Sequence, residues 1–511
     1  MVKRLVILCV LAIEVVVLAL AGGGGESGLE TLRVMIVERE SIPDGQGSIK
    51  DNPWTAYVQE QMAGRGVDVR FVAIGGSQVA HTIMMATNTA PDVSFTHGRL
   101  LFQKFAADGG LHDLGPLIDT YGPNIPTVLG EEILRYGRVD GVQYAIPSRR
   151  EDDARYASFI RKDWLDALGL DPPTNREELT DVLQAFRDND PGNVGAEKLI
   201  PWGWFTEDPG TFYESDFKLF DVMYSFFEHD EAANMTEIWP RRDGFREFMA
   251  WLNDLYRRGL IEREFATDNF TIKTRKVMNG EVGFVHAHYL YPYGQNSASI
   301  QANLQSNVPG AELIPVDVFQ NDAGEYRGLR YLPVQYYVFS PSRSRRPEVA
   351  VAYMNWLLED DIAWTLSFGV TGEHHTVQEG MPVIDDLRHF YDTFGYASPS
   401  LRILGDYPFG SDVYEFAREQ QRIYEYSGND DIARQMALGD SFTEPVFDER
   451  MPSMARYGPG LIKIAEQYWV EMITEEDFDA AYEEFMAKAV DRGVDNVEAE
   501  RREYYLRRSG E

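Results

Sequence analysis

His286 and His288 stand two residues apart at the end of the apolar run EVGFVHAH (281–288), and such a pair on a strand shares one face. Two imidazoles on one face are half of a zinc site. No third ligand lies near them, and Cys9 is the only cysteine, so no metal is expected; buried imidazoles or contacts to a bound molecule are. Sugar hydrolysis would need two carboxylates at a set separation, but with 82 acidic residues such pairs select nothing. The nucleophile elbow G-x-S-x-G, the metal helix H-E-x-x-H and the P-loop are absent. What remains suits holding a ligand. Arg149 and Arg150 can fork onto a carboxylate or onto hydroxyls, though ion pairs with Glu151–Asp153 suit them equally. Gln335, Glu373 and His374 offer further polar contacts.

Ring faces are the other half of such a site, because the apolar faces of a bound molecule stack on them. WGW (202–204) lacks helical periodicity, so Trp202 and Trp204 are candidates to face solvent or a cleft. YLYPYG (289–294) puts Tyr289 and two further tyrosines in a loop after a buried strand. Tyr336 and Tyr337 alternate along a strand, so one of them faces the core, and Tyr336 is the candidate contact. Trp54, Trp251 and Trp356 sit at helical core spacing and read as packing.

The elements that must position these residues begin with LRVMIVE (32–38), a β-branched, apolar strand. Asn52 and Pro53 open a helix with Trp54, Tyr57, Val58 and Met62 on one face. VDVRFVAI (67–74) is a second strand, Ser77 can cap a second helix, and PDVSF (91–95) is a third strand. This alternation favours a parallel, doubly wound sheet, whose ligands sit beyond the carboxyl ends of the strands. Ser77, Thr96 and His97 fall there. No dinucleotide fingerprint follows Gly75-Gly76. SFIRKDWLDALGLDPPTNREELTDVLQAF (158–186) then restarts the pattern as strand, helix, proline stop and a capped helix, with Thr174 and Glu177 spaced as a capping box. Such local agreement marks a second, independently cored unit.

A chain of 511 residues exceeds what one core usually fills, which also argues for two lobes. The net charge of −34 disfavours nucleic acid, because phosphates would be repelled. It also weighs against a polyanionic ligand unless the cleft is locally basic. Lys3 and Arg4 before LVILCVLAIEVVVLAL, with Ala19-Leu20-Ala21 after it, read as a signal peptide over 1–21. Residue 22 is Gly, so no lipid-attachment cysteine is expected there. An uncleaved anchor is the other reading of the leader.

In this order, NPWTAYVQEQ, DGVQYAIP, FIRKDWLDALGLDPPTNREELTDVLQAFRDNDP, MNGEVGF, RRPEVAVAYMNWLLED and FGVTGEHHTVQEG resemble extracellular solute-binding proteins of carbohydrate ABC transporters. The resemblance is to the long oligosaccharide-binding branch that includes alginate-binding proteins, and it covers nearly the whole chain after the leader. It implies an α/β, two-lobe periplasmic-binding-protein fold (type II), each lobe a doubly wound sheet flanked by helices. Lobe 1 would hold 29–156 and 320–372, and lobe 2 would hold 157–319 and 373–511. It further implies a non-catalytic monomer that carries an oligosaccharide to a membrane permease; a secreted glycoside hydrolase or lyase is the alternative. Long members of the branch often carry a calcium loop, aligned here with 190–201. At its alternate positions stand Asp190, Gly192, Val194, Ala196 and Lys198. One carboxylate falls short of the six or more oxygens that calcium takes, so no calcium and no other cofactor is expected.

Overall fold

The computed structural model describes residues 28–38, 42–150, 152–203, 219–227, 230–293, 299–321, 323–325, 328–378, 380–405, 407, 428–443 and 445–510. The leader, Glu151 and Trp204 lie outside these residues.

Strand Glu30–Val37 pairs in parallel with Val67–Ile74, and Val34 forms a parallel bridge to Val93, as the strand–helix alternation suggests. Beyond that the sheet turns antiparallel. Strand Val334–Phe339 runs antiparallel to Ser94–Thr96 on one side and to Ile146–Arg149 on the other. The first sheet is therefore mixed, not wholly parallel. A strand that returns from far along the chain is not tied to its neighbours by a crossover helix, so nothing obliges it to run with them. The register shifts between Val334, opposite Arg149, and Tyr337, opposite Pro147. Such bulges re-aim side chains beside sites. The second sheet, also mixed, orders Leu313–Val316, Tyr156–Arg161, Val282–His288 and Ile200–Gly203; only the last pair is parallel.

Helix ends follow local chemistry. The Asn52 side chain accepts from the amides of Trp54 and Thr55, and the Thr55 hydroxyl accepts from the Asn52 amide at 2.9 Å. The second-lobe helix Arg176–Asn189 is capped by Asn175, one residue later than the Thr174 spacing suggests; Thr174 instead donates its amide and hydroxyl to Glu178. Gly169 ends the preceding helix in the left-handed conformation that suits glycine.

Two large cores sit on these sheets. The first gathers Leu32, Val58, Phe95, Phe102, Ile146 and Val338, among others. The second gathers Trp164, Trp202, Phe248, Phe284, Trp469 and Phe485, among others. Ile384, Phe390, Phe394 and Leu404 belong to the first core, whereas the sequence reading put everything after 372 in the second lobe. The reason is Trp54: Phe394 packs edge-on against it at 4.5 Å, and its indole N–H donates to the Thr393 carbonyl at 2.7 Å. Among the described residues, no helix is long and apolar enough to cross a membrane.

Candidate ligand-binding cleft

A cavity of about 460 Å³ opens between the two cores. That size falls within the roughly 300–1,000 Å³ usual for small-ligand pockets. One wall is the turn from strand Ser94–Thr96 into helix Arg99–Ala107, with His97 and Arg99, joined by Gln335 and Tyr337 of the bulged strand. A second wall comes from the segments leaving the first lobe and supplies Arg150, Arg155, Arg330 and Tyr331. Opposite stand helices Pro452–Thr474, Phe478–Asp491 and Val494–Ser509, which contribute Leu461, Ile462, Phe485 and Arg501.

The guanidinium groups are held rather than loose. Arg150 lies 4.0 Å over the Tyr331 ring and donates through Nε to the Leu332 carbonyl at 3.1 Å. Arg155 stacks against the same ring at 5.0 Å, and against Tyr156 at 4.8 Å. Arg330 donates to Ser441 Oγ at 2.6 Å, and Arg501 to the carbonyls of Met235 and Asn234. Burial pushes the Arg150 guanidinium below its usual range; Tyr331 opposes that and Arg155 adds to it. A cation crowded and desolvated in this way gains from an incoming negative or strongly accepting group.

Of the residues singled out from sequence, His97, Arg150 and Gln335 line the cavity. The others are placed differently. Ser77 caps helix Gln78–Ala86 at an exposed turn, where its hydroxyl accepts from the Ala80 amide. Thr96 is fully buried and its hydroxyl accepts from the Gly98 amide at 3.2 Å, so it shapes the turn that presents His97. Arg149 points the other way and donates to the Val128 carbonyl at 2.7 Å. Tyr336 is a core ring packed on Phe95 and His97; the tyrosine that lines the cavity is Tyr337, stacked on Phe102 at 4.8 Å.

Trp202 is also a core residue, 1 % exposed, because it and Gly203 belong to the strand Ile200–Gly203 instead of a loop. Tyr289 is buried with its hydroxyl on Asp152, which also pairs with Arg434 at 3.0 Å. Glu373 is exposed, and His374 packs on Trp54, with Nδ1 accepting from the Val370 amide at 3.0 Å. His288 accepts from the Leu290 amide at 3.3 Å. Sequence reasoning missed Arg99, Arg155, Arg330, Tyr331, Tyr337 and Arg501.

His286 is 2 % exposed, with Nδ1 3.0 Å from Ser158 Oγ and Nε2 3.9 Å from Asp221. Burial, then the nearby Arg155 charge, pushes its pKa from 6.5 down to about 3. The unfolded chain takes up this proton near 6.5 while the native state refuses it until about 3. The stability tied to neutral His286 is therefore complete above that upper value and is lost as pH falls through the window. We expect the melting temperature to fall over this range more steeply in the native protein than in His286→Gln; equal slopes would contradict this placement. Among the described residues, no group of three His, Cys, Asp or Glu side chains is arranged to hold a metal ion. In the loop after helix Arg176–Asn189, Asp190 Oδ1 accepts from the Val194 amide and Oδ2 from the Gly195 amide, both at 2.8 Å. The one carboxylate at the alternate positions of that loop is thus engaged by its own backbone, and the side chains at 192, 194, 196 and 198 carry no anionic oxygen. The alternate side chains alone therefore fall short of the six or more oxygens that calcium takes.

The model of the family described as bacterial extracellular solute-binding protein matches residues 46–364. The fructooligosaccharide ABC transporter substrate-binding protein FusA of Streptococcus pneumoniae serotype 4 (strain ATCC BAA-334 / TIGR4) is 26% identical over 176 residues, 31% of this chain and 32% of that one. The chain thus spans about a third of that relative's length. Lipoprotein LipO of Bacillus subtilis (strain 168) is 22% identical over 370 residues, 69% of each chain. Among solved structures, that of alginate-binding protein AlgQ2 without calcium ion superposes with a TM-score of 0.69 at 20% identity. That superposition covers 94% of this chain and 98% of that one. At this identity it supports a shared fold.

Proposed function

Because the chain belongs to the bacterial extracellular solute-binding protein family, we propose that it captures a carbohydrate, specifically an oligosaccharide, in the cleft between its lobes and delivers it to the permease of an ABC transporter. The observation that carries this reading is the cavity itself. It lies between the cores, and rings of Tyr331, Tyr337 and Phe447 share its lining with hydrogen-bonding Gln103, Gln335 and arginine side chains. Ring faces beside fixed polar groups are what sugars require. The fructooligosaccharide- and alginate-binding relatives favour the same class of ligand. Contacts made with both lobes at once are stronger when the lobes close, and that difference lets ligand shift the molecule toward the form a permease recognises.

The protein acts as a binder and not as an enzyme. The proteins it is similar to are named as solute- or substrate-binding proteins, which favours binding over the paired-carboxylate chemistry of a glycoside hydrolase. In the cell it works as an exported periplasmic or extracellular monomer, with 1–21 serving as its signal peptide.

A thermal-shift screen of the purified protein against neutral and acidic oligosaccharides, with and without EDTA, tests this. We expect a saturable stabilisation of about 2.7 kcal/mol at ~100-fold excess over Kd, with no new reducing ends. Release of reducing ends would favour the hydrolase. EDTA should leave the melting temperature unchanged, since Asp190 is already satisfied; a drop of several degrees would show a bound structural metal.

A further inference from the structure

The chain carries 82 acidic against 48 basic residues, yet its cavity is lined by Arg99, Arg150, Arg155, Arg330 and Arg501, with no described Asp or Glu among the lining residues; Arg330 is paired from behind with Asp153 at 3.5 Å. From that inversion, and resting on the carbohydrate-binding reading above, we propose that the ligand is an anionic sugar whose acidic group is taken by Arg99 and its neighbours in the cleft. Two independent features locate that group near Arg99. Nε and Nη1 of Arg99 are buried without a hydrogen-bond partner among the described residues, while Nη2 donates to the Phe447 carbonyl at 2.6 Å. Buried guanidinium donors left unpaired are costly, and a carboxylate or sulfate oxygen would satisfy them. The helix Arg99–Ala107 also begins here: Gly98, Arg99 and Leu100 line the cavity, and no side chain caps that N-terminus. An uncapped helix start directs amide N–H groups and partial positive charge at whatever occupies the space in front of it.

Arg150 and Arg155 extend the field. Both guanidiniums lie against Tyr331, at 4.0 and 5.0 Å, so two like charges share one ring. Their mutual repulsion in a partly desolvated cleft is relieved by an anion between the lobes, which couples ligand charge to closure. The protein's own acidity does not prevent this, because charges spread over a solvated surface are screened over about 8 Å at physiological salt, whereas the cleft arginines meet the ligand directly. Opposite them stand Leu461, Ile462 and Phe485.

Titration calorimetry on the full chain compares three probes: a uronic-acid trisaccharide, its carboxyl-reduced neutral counterpart of the same linkage, and a sulfated trisaccharide. We expect an acidic probe to bind at least tenfold more tightly than the neutral one, and to weaken as salt rises from 50 to 500 mM. The uronate and sulfate arms distinguish which anion is meant. Arg99→Met and Arg150→Gln should each shrink the acidic-over-neutral ratio at least fivefold; because that ratio is taken within each variant, partial loss of stability does not mimic it. Equal affinity for acidic and neutral probes, without salt dependence, would overturn the anionic assignment and leave the carbohydrate reading standing. Heat with none of these probes or with any neutral oligosaccharide would overturn both.

Discussion

Gly458→Phe removes ligand binding while leaving the protein folded. Gly458 lines the cavity from within helix Pro452–Thr474, and a Cβ built there meets no atom within 4 Å. The benzyl group therefore enters open cleft space in place of ligand. Two backbone effects nearly cancel. Glycine in a helix is about 1 kcal/mol worse than a good helix former, so replacing it firms the helix. Pro459 follows directly, however, and the residue before a proline resists helical geometry once it carries a Cβ. We expect the melting temperature of the ligand-free variant to stay within a few degrees of the native value. Affinity for the sugar should fall at least 100-fold, about 2.8 kcal/mol. Gly458→Ala, which adds only a methyl group, should retain most of the affinity. Undiminished binding by Gly458→Phe would mean that the ligand sits elsewhere.

The elements around this cleft were largely legible in the sequence, because each is specified locally. Asn52-Pro53 opens a helix, Gly169 closes one, and the apolar runs at 32–38 and 67–74 become the paired strands Glu30–Val37 and Val67–Ile74. The site was legible only where position in the fold implied it. His97 follows a strand end, Arg150 follows the strand that leaves the first lobe, and Gln335 lies on the strand that returns. Arg330 and Arg501 carried no such mark. Arg501 stands in the helix Val494–Ser509, and only tertiary packing brings it to a cleft whose other wall begins at residue 97. One signal was available for Arg99. His97-Gly98 precedes its helix without a capping side chain, and a bare helix start beyond a strand end is where the sheet rule places anions.

Trp202→Ala should cost the fold heavily and the ligand little. The indole is 1 % exposed, edge-on to Phe284 at 5.3 Å and tilted against Trp251 at 5.7 Å. The segment lacks helical periodicity, but it is a strand. Trp202 donates its amide to the Leu260 carbonyl at 2.9 Å, its own carbonyl accepts from the Glu262 amide, and it stands opposite Phe284. Gly203 is what the close approach requires, since a Cβ there would lie 2.7 Å from Val282 Cγ1. Truncating a fully buried tryptophan removes its transfer energy and leaves a cavity that stiff neighbouring rings cannot fill, at about 3–5 kcal/mol. For a unit of this size that corresponds to a fall of roughly 6–20 °C in melting temperature. Sugar affinity measured well below the transition should change less than threefold, because the side chain does not line the cleft. A tryptophan that stacked on sugar would show the reverse: near-native stability and a large loss of affinity. The two outcomes separate core from cleft on one residue, and the geometry around Phe284 selects the first.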